Sequence, residues 1–77
     1  MATQVLNNQG ELVMQRNATR FGAWVTVFCS VDEFFNCGQD SVEQQMVSLE
    51  DGREMRAFEA LNELSKEKPL NVSFKSA

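Results

Sequence analysis

The sequence predicts an α+β domain: a small antiparallel sheet of four or five strands with one main helix packed on one face. Three observations carry this reading. The N-terminal segments alternate around a cluster of turn formers, residues 23–31 are dense in β-branched and aromatic side chains, and residues 53–66 repeat apolar positions at helical spacing. A chain of 77 residues is one domain, taken as 1–77. At this size folding buries only about 60% of the unfolded surface. That suffices for one thin core and leaves no room for an enclosed, multi-part catalytic cavity.

Residues 3–6 and 11–16 flank Asn7-Asn8-Gln9-Gly10. Asn and Gly tolerate the positive φ of a hairpin turn, so this is read as a β-hairpin. Residues 16–22 are read as a polar connection. In residues 23–31, Ala23, Val25, Val27, Cys29 and Val31 share one wholly apolar face, which points at the core. Trp24, Thr26, Phe28 and Ser30 occupy the other face.

Ser30 followed by Glu33 has the pattern of a capping box, and residues 31–37 read as one or two helical turns closed by Gly38, or as a loop. Residues 45–49, Gln-Met-Val-Ser-Leu, are read as a strand before the Asp51-Gly52 turn, although Ser41 and Gln44 also resemble a helix start. In residues 53–66, Met55, Phe58, Leu61 and Leu64 recur every three positions, with Ala57 and Ala60 broadening the stripe. Asp51 is placed to cap this helix. Pro69 ends it, and Leu70, Val72 and Phe74 alternate with polar residues in a half-buried last strand.

The charge excludes some functions. Seven basic and 11 acidic residues give a net charge of −4. Direct nucleic-acid binding draws on clustered Lys and Arg, which an acidic chain lacks. Arg16 and Arg20 in one connection are weak grounds for phosphate contact. There is no His, which removes the commonest general base and metal ligand. Two cysteines, Cys29 and Cys37, are too few for a structural zinc site. They are read as free thiols, Cys29 as inert core. No phosphate loop or nucleophile elbow occurs. The expectation is a non-enzyme without metal or cofactor. No segment has the length and apolarity of a bilayer span, and the N-terminus lacks the features of a signal peptide. The expected location is cytoplasmic.

What remains is contact surface. Trp24 and Phe28 face away from the helix, either bare or covered by the loop that carries Phe34 and Phe35. Adjacent residues point to different sides, so one of Phe34 and Phe35 is available to a partner or both are divided between two clusters. Glu59, Glu63 and Glu67 lie at i, i+4 and i+8, a stripe that either meets a basic surface or is simply solvated. Trp24, Phe28, Phe34, Phe35, Glu59, Glu63 and Glu67 are therefore the candidate protein-binding residues. The leading reading is a small acidic binding protein, of the kind with which a phage or mobile element blocks a surface of a larger host protein, one that handles nucleic acid for instance. The alternative is a homo-oligomeric structural or assembly protein, such as a homodimer formed through the Trp24/Phe28 face.

Overall fold

The computed structural model describes residues 2–35, 41–66 and 71–75. The chain runs β1 (Ala2–Asn7), β2 (Leu12–Thr19), β3 (Gly22–Val27), α1 (Val31–Phe34), a 3-10 turn (Val42–Gln44), β4 (Met46–Ser48), β5 (Glu54–Arg56), α2 (Ala57–Leu64) and β6 (Asn71–Phe74). The strands form one six-stranded sheet in the order β5-β4-β1-β2-β3-β6. The α+β class is as expected. The strand count and the purely antiparallel pairing are corrected, because β6 lies parallel to β3, with Val25 beside Val72 and Val27 beside Phe74. Parallel neighbours need a long crossover, and everything from α1 to α2 supplies it. An alternating strand shows the same period in either direction, so its pattern carries no sign of this.

The first hairpin forms where the turn residues place it. The Asn7 side-chain oxygen accepts from the backbone N–H of Gln9 (3.0 Å) and of Glu11 (2.9 Å). Gly10 takes φ 80°, which favours glycine. Between the pairs Val5–Met14 and Leu6–Leu12 the register slips, leaving Val13 as the extra residue of a bulge. The bulge accounts for the burial of two adjacent side chains, Val13 and Met14. The second hairpin differs from expectation. β2 continues to Thr19, and only Arg20 and Phe21 form the turn, so the polar connection over residues 16–22 is mostly strand. Thr19 Oγ1 accepts from the Phe21 N–H at 3.1 Å, and Gly22 at φ 144° begins β3.

β3 ends at Val27, earlier than the apolar run suggested. Val25, Val27 and Cys29 are buried as expected, but Val31 is exposed because the chain has turned into α1. The Ser30–Glu33 cap forms: Ser30 Oγ accepts from the Glu33 N–H at 3.1 Å and donates to Glu33 Oε1 at 3.2 Å. Closure by Gly38 lies outside the described residues, as do Pro69 and Leu70.

The helix expected over residues 53–66 is divided. Its first part is β5, in which Met55 pairs with Val47 and packs on the core while Glu54 and Arg56 point away. Asp51 caps no helix. Its carboxylate accepts from the Arg53 N–H at 3.0 Å and closes the turn before β5. α2 begins at Ala57, whose N–H donates to the Gln45 carbonyl at 2.8 Å. Ala57, Ala60 and Leu64 are buried, at i, i+3 and i+7, with Leu61 packed beside them. Phe58, assigned to the core from the repeat, is 45% exposed. Eight residues are too few for an isolated helix in water. α2 is held by the apolar side chains it shares with Val5, Met14, Val25, Val27 and Val47.

Candidate protein-docking surface

Among the described residues, one face of the sheet is covered and the other is bare. Cross-strand register places Gln4, Gln15, Thr26 and Ser73 in one row and Asn17, Trp24 and Asn71 in the next, all on the side opposite the buried Val25 and Val27. This polar face has no helix among the described residues to cover it. Trp24 is 39% exposed there, between Asn17 of β2 and Asn71 of β6. Polar neighbours and a half-open indole describe a surface that water reaches and that a partner ring or methyl group can dry.

Phe28 and Phe35 are also exposed, but neither lines the groove beside Trp24. Phe28 lies just past β3, about 13 Å along the strand from Trp24 at the usual rise per residue. Phe35 stands at the end of α1 in a three-ring cluster, 4.9 Å from Phe34 and 5.9 Å from Phe74 between ring centres. Phe34 is completely buried and has no surface of its own to offer. It anchors Phe35 and Phe74 from beneath. One ring of the pair is thus core and the other is at the surface.

Sequence reasoning missed Phe21. It is 88% exposed at the tip of the β2–β3 turn, with the Arg20 guanidinium 5.0 Å above its ring. Phe21 and Trp24, with Thr19, Gly22, Ala23, Asn71 and Ser73, line an open groove of about 350 Å³. The available signal was a large aromatic in the two-residue stretch before a glycine, where no core position exists. Phe58 was missed as surface because it fits a helical repeat that begins one element too early. It borders a shallow groove with Glu43, Gln44, Arg56 and Glu59.

The acidic stripe is less open than its spacing suggested. Glu63 is held by Lys66 at 2.9 Å and by Arg53 at 3.2 Å, and Arg53 also pairs with Asp51 at 2.6 Å. Glu50 accepts from the Gln4 N–H at 3.0 Å and covers the part of β1 that β4 does not reach. Glu59 is exposed, and Glu67 lies outside the described residues. The Lys66 and Arg53 hydrogen bonds hold the Glu63 carboxyl below its usual range. Bonds from the Arg53 backbone and guanidinium do the same for Asp51. A depressed carboxyl stabilises the fold above its unfolded pKa, and the gain is lost as pH falls through the folded one. Acidification below the ordinary carboxylate range is therefore expected to lower the urea midpoint less in Arg53→Met than in the parent chain. The effect is small, because these pairs are exposed and screened.

Burial, with a lesser push from Glu33, raises the Cys29 thiol. Cys29 is buried and free, whereas Cys37 lies outside the described residues. In a Cys37→Ser variant the remaining thiol is expected to react with a disulfide reagent only after unfolding. Among the described residues no three His, Cys, Asp or Glu side chains converge as a metal site would require. Among them, too, no helix is long and apolar enough to cross a membrane.

The fold defines a small α+β domain with a six-stranded mixed sheet and one main helix. Comparison with protein-family models, with curated proteins and with solved structures finds no match to this chain.

Proposed function

We propose that this chain is a non-catalytic protein-binding domain that docks through the bare sheet face around Trp24 and the turn tip at Phe21. One observation carries the reading: a half-open indole and a nearly naked phenyl ring line one groove on the face that α2 does not cover. An aromatic side chain held by a rigid strand loses little entropy on binding, which is why Trp is enriched at interface hot spots. The finer version is an inhibitor of phage or mobile-element type that occupies a surface of a larger host protein in the host cytoplasm. It rests on small size, acidity and the lack of a catalytic motif in the sequence. A nucleic-acid-handling target would call on the acidic arm, Glu59, Glu63 and Glu67. With Glu63 tied to Arg53 and Lys66, aromatic contact is the stronger support.

A second reading, a symmetric homo-oligomer, is favoured by the outer edges of β5 and β6, which no other strand pairs among the described residues. Light scattering on purified protein separates the two. For the leading reading, the parent chain and Trp24→Ala are compared as baits in cells of the source and, for a phage gene, of its host. Trp24→Ala is expected to keep the parent's circular dichroism and to lose the retained protein. Retention unaffected by both Trp24→Ala and Phe21→Ser would remove the reading. Glu63→Lys, in contrast, is expected to lower stability slightly and leave retention intact.

A further inference from the structure

We infer that the occupant of the docking surface is an extended strand of the partner, acidic at its ends, which adds to the sheet along β6. The inference rests on the docking reading above and names the partner's chemistry. Among the described residues β6 is the last strand of the sheet and has no strand on its far side. The Lys75 N–H donates to the Val27 carbonyl at 2.8 Å. Alternation then turns the backbone of Asn71 and Ser73 toward β3 and the N–H and C=O groups of Val72 and Phe74 outward. An added strand would take these groups as its ladder. Its side chains on the covered side would rest on Val72, which is exposed, and on the half-buried Phe74. Those on the bare side would run past Asn71 and Ser73 toward the Trp24 groove.

Charge selects the occupant. The exposed cation Arg20 stands over Phe21 at the Asn71 end of the edge, and the exposed cation Lys75 follows the other end. Between them β6 reads Asn-Val-Ser-Phe, without charge. A second copy paired antiparallel through β6 would bring each Lys75 to the Asn71 end of its mate, beside Arg20. Two like-charge contacts would oppose that dimer, whereas a strand with carboxylates at both ends meets a cation at each.

The test uses the full chain and two capped peptides of alternating valine and threonine. One carries two glutamates at each end and the other two lysines. Binding is followed by the fluorescence of Trp24, the sole tryptophan, and by amide NMR shifts. The acidic peptide is expected to shift Val72, Phe74 and their neighbours and to bind at least about tenfold more tightly than the basic one at low salt. The double variant Arg20→Glu, Lys75→Glu is expected to reverse that order. Val72→Pro removes an outward N–H that the native sheet does not use, and is expected to abolish binding. If that variant fails to fold, the charge reversal remains decisive. Equal affinity for the two peptides, binding of neither, shifts confined to other strands, or a dimer with protected Val72 and Phe74 amides would each overturn the inference. A retained partner that is lost with Trp24→Ala but kept with a folded Val72→Pro would overturn it while leaving the docking reading intact.

Discussion

Replacing Phe34 by alanine is expected to remove a large share of the domain's stability. Phe34 is the largest completely buried side chain among the described residues. It meets Phe35 at 4.9 Å and Phe74 at 5.6 Å between ring centres, so it joins α1 to the end of β6. Truncating a buried Phe costs about 3–5 kcal/mol, the lost transfer energy plus the cavity left behind. For a chain of 77 residues the whole stability is about 4–12 kcal/mol. Phe35→Ala removes a ring that is already 43% exposed and is expected to cost about 1 kcal/mol. Urea unfolding of the two variants checks the contrast. Similar midpoints would mean that the three-ring cluster is not built as described.

The second large effect concerns the orientation of α2. Ala60 is completely buried while Phe58, two positions earlier, is 45% exposed. Ala60→Glu would press an unpaired carboxylate into the contact between helix and sheet, at a cost of about 3–5 kcal/mol. Phe58→Gln is expected to cost about 1 kcal/mol or less, in line with an exposed position. The apolar repeat taken alone puts Phe58 in the buried stripe together with Ala60, so it predicts a large cost for Phe58→Gln as well. Thermal melts of both variants decide between the two orientations.

The placement of Phe58 shows where the sequence runs out. The first hairpin was legible because Asn7 and Gly10 have specific backbone demands that few other structures satisfy. The Ser30–Glu33 cap was legible for the same reason. The buried face of β3 was legible because Val25, Val27 and Cys29 alternate without a polar interruption. The division of residues 53–66 was not legible. Glu54-Met55-Arg56 satisfies a period of two as well as a helical one, and only its pairing with β4 selects the strand. The parallel placement of β6 was hidden because alternation is the same in both directions. Trp24 and Phe28 were legible as rings on the face away from the helix, but not whether a loop covers them, nor which of Phe34 and Phe35 is exposed. Phe21 was not legible, because the length of β2 decides whether residues 20–21 form a tip or part of a longer loop. The acidic stripe was legible as a spacing, but its pairing with Arg53 depends on a turn that brings distant residues together.

The account stands on an indole left open to water on the uncovered side of the sheet. Acrylamide quenching of the lone tryptophan in the native monomer measures this directly. The expected result is ready quenching, intermediate between a sealed indole and the urea-unfolded chain, that is lost when a partner binds. A blue-shifted emission that resists the quencher in the monomer, with no partner present, would contradict the account.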